Sequence, residues 1–218
     1  MKCTLNALRT LTLPPPTVWA LDIITPNVEV LKFVLPSEIP HVNDPFLSPH
    51  VRPLLPDIHH SPVPQDMLWK LTHVEFLCFD IHDIERLKSW IPHLSNVKIL
   101  AVRGFQRPYP QAGPGEHPDK RVHVKVLESL IHHPEWLNKL KELYLDVCYT
   151  PDQSLIDFVT MRTAPAVPAA CTPLKRITLR WGSRLTKETI QRLKGALDVF
   201  ESQWSAAPPK PVQVPAAE

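Results

Sequence analysis

The groups that could do chemistry in this 218-residue chain are eleven histidines and four cysteines: Cys3, Cys78, Cys148 and Cys171. Two histidine pairs are adjacent in sequence, His59-His60 and His132-His133. Neighbouring side chains on a helix or strand point apart, so neither pair chelates a metal by itself. Cys78 and His82 have a metal-like spacing but lack the second ligand pair that a structural zinc site needs. A thiolate at Cys148 activated by a histidine is the remaining nucleophile arrangement. The chain contains no GxSxG, no HExxH and no Gly-rich phosphate loop. The expectation is solvated or loop histidines, a structural Cys148, no metal, no cofactor and no catalytic residue.

Composition narrows the class. Lys plus Arg is 24 and Asp plus Glu is 22, a net charge of +2 with no block of five like charges. A dedicated nucleic-acid surface would need a basic stripe, so no nucleic-acid partner is expected. No apolar run approaches the roughly 18 residues of a membrane span. Arg9 and the threonines interrupt the opening MKCTLNALRTLTL, which therefore does not read as a signal peptide. No cysteine lies in a CxxC pair, which points to reduced thiols and an intracellular protein, cytoplasmic or nuclear. Proline is the outlier, with 26 residues against 5 glycines. That is more than twice the usual roughly 5% of proline and predicts long irregular loops.

The elements that must position any site repeat. The pattern apolar-x-x-apolar-x-apolar occurs at Leu8-Leu11-Leu13, Val28-Leu31-Phe33, Val74-Leu77-Phe79, Val97-Leu100-Val102, Leu140-Leu143-Leu145 and Leu174-Ile177-Leu179. Each carries a charge after its first apolar residue: Arg9, Glu29, Glu75, Lys98, Lys141 and Lys175. Leu5, Leu71, Leu94, Leu137 and Cys171 stand three positions before five of the copies. First positions are spaced by 20, 46, 23, 43 and 34 residues. The spacings 20 and 23 fall in the range of roughly 20 to 29 for leucine-rich repeats, and 46 and 43 lie near two periods. In the first long gap, VRPLLP (51–56) reads either as a degenerate copy or as coincidence, since its prolines exclude a central strand.

Helical spacing separates the copies: Ile81, Ile84, Leu87 and Ile91; Val124, Leu127 and Ile131; Leu155, Ile156 and Val159; and Ile190, Leu193, Leu197 and Phe200, with Thr186 as N-cap of the last. Alternating strand and helix predicts a parallel sheet with packed helices. Residues 36–66 hold eight prolines and read as an insertion or degenerate repeat. Residues 104–120 read as a loop and 205–218 as a disordered tail, whose PPKP has the form of a PxxP ligand. The expected organisation is one domain over 1–204 followed by the tail.

LKELYLDVC (140–148) resembles the cysteine-containing leucine-rich repeat. That resemblance implies an α/β solenoid: an open curved parallel sheet, helices on the convex side, and Cys148 at the turn after its strand. The run SLIDFVTMRT…CTPLKRITLRWGSRLTKETIQRLKGAL is similar to the C-terminal repeats of fungal F-box proteins, with a helix ending in Arg162 and a Cys171-Thr172-Pro173-Leu174 loop before the strand. In that family an F-box docks on a ubiquitin-ligase adaptor and the repeats hold the substrate. Here LPSEI (35–39) mimics an F-box start, but prolines at 40, 45, 49, 53 and 56 follow where helices should. The chain reads as the repeat region without its F-box.

Residues alternating with the apolar columns face the open side of the sheet. The expected protein-binding set there is Lys32, Phe76, Asp80, Ile99, Arg103, Glu142, Tyr144, Asp146, Arg176 and Arg180. Apolar and aromatic members in such a row mark an interaction surface, unless a loop such as 36–66 or 104–120 folds over them. The function expected is a non-catalytic protein-interaction module, the substrate-recognition repeats of an F-box-type ubiquitin-ligase component, with a protein partner. The alternative is a small α/β enzyme with a site built from loops 36–66 and 104–120, since parallel sheets place ligands at strand carboxyl ends.

Overall fold

A computed structural model describes residues 3–13, 23–33, 58–61, 63–78, 81–104, 122–148, 152–163, 171–182 and 185–203. Nine strands occur among them: β1 (Cys3–Thr4), β2 (Thr10–Leu13), β3 (Ile23–Ile24), β4 (Val30–Phe33), β5 (His73–Cys78), β6 (Ile99–Gly104), β7 (Glu142–Cys148), β8 (Arg176–Gly182) and β9 (Val199–Gln203). Four α-helices accompany them: α1 (Ile81–Trp90), α2 (Val122–His132), α3 (Asp152–Thr163) and α4 (Lys187–Ala196). The protein is α/β, with an open seven-stranded sheet in the order β2-β4-β5-β6-β7-β8-β9. Every pairing is parallel, and β1 with β3 forms a separate two-stranded parallel ribbon. The strand order follows the chain without a reversal.

Register explains why the sheet forms. Leu11, Leu31, Val74, Leu100, Leu143, Ile177 and Phe200 lie opposite one another in one line across the strands. Leu13, Phe33, Phe76, Val102, Leu145 and Leu179 mark the same face two residues on. These side chains share a single core with Leu87 and Trp90 of α1, Leu127 and Leu130 of α2, Leu155 and Phe158 of α3 and Leu193 of α4. The helices therefore cover one sheet face, and adjacent helices contact each other in chain order. At the centre of this layer the rings of Phe33 and Phe76 stack at 6.0 Å, and Trp90 meets them edge-on at 5.8 and 5.6 Å. Such pairs add about 0.5–1.5 kcal/mol each beyond their area burial.

Two expectations are corrected by this register. The third copy is Leu71-Val74-Phe76, three residues earlier than Val74-Leu77-Phe79, because Val74 pairs with Leu31 on one side and Leu100 on the other. The residue after its first apolar position is thus Thr72, not Glu75, and the leucine three before is Leu68, fully buried. Second, the stripe through Leu197 and Phe200 is not one helix. The helix α4 ends at Ala196, Leu197 is extended, and Phe200 sits in β9, a seventh copy that hydropathy hid. Thr186 does cap α4, its hydroxyl accepting from the Thr189 amide at 3.2 Å. Of the region 36–66, Ile58 and Val63 are buried in the core, while 36–57 lies outside the described residues, as do VRPLLP, LPSEI, 105–121 and the tail.

At the strands' entry rim the copies interlock. The carbonyl of the residue after the first apolar position accepts two amides from the next strand: Arg9 from Glu29 and Val30, Glu29 from Thr72 and His73, Thr72 from Lys98 and Ile99, Lys98 from Lys141 and Glu142, and Lys141 from Lys175 and Arg176. Side chains add a second ladder. Lys70 Nζ donates to Asn27 Oδ1 at 3.1 Å, Asn96 Nδ2 to the Trp69 carbonyl at 2.7 Å, and Lys139 Nζ to Asn96 Oδ1 at 2.6 Å. Arg162, at the end of α3 and almost fully buried, donates from Nη2 to the carbonyls of Leu137, Leu140 and Thr172 at 3.0, 3.2 and 3.4 Å.

Candidate functional site

Side chains alternate along a strand, so the face away from the helices carries the other residues of every copy. One line across the sheet reads Lys32, Glu75, Ala101, Tyr144, Thr178 and Glu201; the next reads Val30, His73, Ile99, Glu142, Arg176 and Val199. Lys32, Ile99, Glu142, Tyr144 and Arg176 therefore share a face, joined by Arg103 and Arg180 towards the strand ends. Phe76 does not. It is 0% exposed and belongs to the core, the consequence of the corrected register. Asp80 lies outside the described residues, and Asp146 lies in β7 opposite Arg180.

Two polar clusters organise this face. Glu75, only 4% exposed, accepts from Lys32 Nζ at 2.5 Å, Arg103 Nε at 3.0 Å and His73 Nε2 at 3.1 Å. The His73 hydrogen bond, then those cations, hold its carboxyl down at about 2 against the opposing effect of burial. Neither Glu75 nor His73 was expected here, because the shifted frame put Glu75 in the exposed column; LTHVEF read as a copy would have found both.

The second cluster is one strand pair away. Tyr144 OH donates to Glu142 Oε2 at 2.7 Å, and Arg176 Nη1 lies 3.4 Å from Tyr144 OH and 3.7 Å from Glu142. Partial burial pushes the Tyr144 hydroxyl above its ordinary value. Thr178 Oγ1 donates to Glu201 Oε2 at 3.3 Å. Small Ala101 separates the two clusters, and Arg180 Nε is buried without a hydrogen-bond partner among the described residues. Ala101 and Thr178, like Glu75, are buried beneath their neighbours, so what this face offers to solvent is the partly exposed Lys32, Ile99, Arg103, Glu142, Tyr144 and Arg176.

Among the described residues no group of three or more His, Cys, Asp or Glu side chains is placed to hold a metal ion. His133 stacks on Trp136 with ring centroids 4.0 Å apart, and His59 Nδ1 lies 3.1 Å from Gln65 Nε2. Cys171 is a free thiol that donates to the Pro134 carbonyl at 3.4 Å. The side chains of Cys78, His82 and Cys148 lie outside what is described. No described helix is long and apolar enough to cross a membrane. No protein-family model matches the chain, and no curated protein or solved structure matches it either.

Proposed function

We propose that this chain is a non-catalytic protein-interaction module, a leucine-rich-repeat-like solenoid that holds a partner protein on the sheet face away from its helices. The observation that carries the reading is the set of partly exposed side chains Lys32, Arg103, Tyr144, Arg176 and Arg180, which stand over the buried Glu75, Ala101 and Thr178 on the sheet face opposite the helices. Strands about 4.8 Å apart bring these side chains into one patch. Tyrosine and arginine are also the commonest binding hot spots. The strand order favours the module over the enzyme. A doubly wound sheet makes its ligand crevice where strand order reverses, and this sheet has no such point.

The resemblance to fungal F-box repeats gives the module a setting, the intracellular recognition of a protein destined for ubiquitination. The test is affinity purification with wild-type chain and with Tyr144, Arg176 and Arg180 replaced together by alanine. The triple variant should lose the partners. Retention of them, with loss instead on charge reversal along α4, would place the contact on the helices. Purified ligase adaptor should not be retained, because LPSEI is not followed by F-box helices in the sequence.

A further inference from the structure

A second surface lies on the entry rim, apart from the face just described. A cleft of about 440 Å³ opens there between β4 and β6, with Trp69 as its apolar wall and Lys70, Lys98, Asn96, Lys139 and Glu29 around it. Trp69 is 52% exposed, on the 3-10 helix Gln65–Lys70. A single exposed ring is ordinary on a protein surface, but here it walls a cleft ringed by lysines, and aromatic and cationic groups together make a contact site.

Charge tells what the cleft would take. Lys139 Nζ is held by the neutral Asn96 amide, and Lys70 Nζ by Asn27 and the Pro26 carbonyl, 5.8 Å from the centre of the Trp69 ring. Neither lysine, nor Lys98 nor Lys141, forms an ion pair with a carboxylate among the described residues. Glu29, the acid of the cleft, is engaged by Arg9 at 3.2 Å. The exposed rim column reads Arg9, Glu29, Thr72, Lys98, Lys141, Lys175 and Asp198. Its ends are neutralised by the Arg9–Glu29 and Lys175–Asp198 pairs. Positive charge is therefore concentrated at the centre, on Lys98, Lys139 and Lys141.

We propose that this cleft docks a short acidic peptide segment carrying one bulky apolar side chain, with Trp69 as the apolar platform, Lys98 and Lys139 in its wall as the charge partners, and Lys141 beside Lys98 on the rim extending the positive charge. The patch spans two strand spacings, on the order of 10 Å, or about three residues of extended chain. A nucleic-acid strand would need a basic track that continues along the surface, and this one is closed at both ends. Two lysines are fixed by neutral amides before any ligand arrives, so less side-chain entropy is lost on binding.

The test uses the full chain and a labelled synthetic peptide with one phenylalanine flanked by glutamates, followed by fluorescence anisotropy. The wild-type chain should bind it, and more weakly as salt rises. Trp69→Ala and Lys98→Glu should each weaken binding by about tenfold or more. Both positions lie at the surface, and circular dichroism checks that the variants keep their fold. Lys187→Glu on α4 should change nothing. The proposal is overturned if the acidic peptide does not bind, if Trp69→Ala binds it as wild type does, if a peptide with lysines in place of the glutamates binds equally well, or if a single-stranded oligonucleotide binds more tightly than the acidic peptide.

Discussion

Arg103 on β6 reaches back across the sheet to Glu75 on β5, Nε to Oε2 at 3.0 Å, and the carboxylate it meets is almost wholly withdrawn from water. Glu75 is thus a buried anion held by Lys32, His73 and Arg103 on three adjacent strands. A carboxyl held at about 2 when folded, against 4.5 ordinarily, binds fewer protons folded than unfolded. Its contribution is present above pH 4.5 and is lost as the pH falls towards 2, on the order of 3 kcal/mol in all. Urea unfolding at pH 7 and pH 2.5 should show the wild type losing that much more stability than Glu75→Gln. Equal losses would mean the carboxylate is not so held. At pH 7, Glu75→Gln should cost about 3 kcal/mol, because Lys32 and Arg103 then face no acid.

Phe76 separates two readings of the third copy. As a core residue against Phe33 and Trp90, its truncation to alanine should cost about 3–5 kcal/mol. As an outward residue it would cost under about 0.5 kcal/mol. Denaturant unfolding decides, and a midpoint like that of wild type would reject the pairing of Val74 with Leu31 and Leu100.

That ambiguity shows how much of this protein can be read from its sequence. In LTHVEFLCF two frames overlap, Leu71-Val74-Phe76 and Val74-Leu77-Phe79, and both satisfy the pattern. Hydropathy cannot choose between them. Pairing with the flanking strands can, and pairing is a property of the assembled sheet. The frames of Leu140-Leu143-Leu145 and Leu174-Ile177-Leu179 have no such competitor, and Leu143 and Ile177 are buried as their column predicts. Leu193, Leu197 and Phe200 follow helical spacing, yet Leu197-x-x-Phe200 also starts a strand, and Ser202 removes the third apolar residue that would have revealed it. Tyr144 and Arg176 follow from position alone. Their link to Glu142 depends on which strands lie side by side.

Arg162 joins the two best-formed copies. Its guanidinium is buried with no ion pair to a carboxylate among the described residues, and Nη2 serves three carbonyls from two turns. One of these belongs to Leu137, whose backbone takes a left-handed conformation with φ 50°. Burial pulls the guanidinium somewhat below its ordinary value, yet it stays charged at any ordinary pH. Arg162→Met fills similar space but takes a donor from all three carbonyls, of which that of Leu137 keeps the Leu140 amide, and should cost about 2–4 kcal/mol. Amide hydrogen exchange in β8 should speed up in the variant, and unchanged exchange there would reduce Arg162 to filler.

Asp152 ties the start of α3 to the start of α4. Its Oδ2 accepts from the Thr186 amide at 3.0 Å and from Thr189 Oγ1 at 2.6 Å. These bonds hold its carboxyl below the ordinary value in spite of burial, so they stabilise at neutral pH and fade as acid protonates it. Asp152→Ala should cost about 1–2 kcal/mol in thermal unfolding, the range of a lost helix cap. Asp152→Asn should recover part of that, since an amide oxygen still accepts. If both variants melt like wild type, the two helices are joined by packing alone.

Tyr144 offers the sharpest test of the interaction face. Its ring lies between Ala101 and Thr178, and its hydroxyl bonds Glu142 while receiving Arg176. If the ring is the apolar anchor of a partner, Tyr144→Phe should keep most of the binding and Tyr144→Ala should lose about 2 kcal/mol or more of it. The side chain is partly exposed, so neither change should move the unfolding midpoint far. Arg176→Ala removes a donor from both Tyr144 and Glu142, so combining it with Tyr144→Ala should cost less than the two separate losses together, as coupled neighbours do. Binding measured by surface plasmon resonance for a partner recovered with the wild-type chain supplies all four corners of that cycle. Additive losses would show that the tyrosine and the arginine act as separate contacts, and undiminished binding by Tyr144→Ala would remove this face as the binding site.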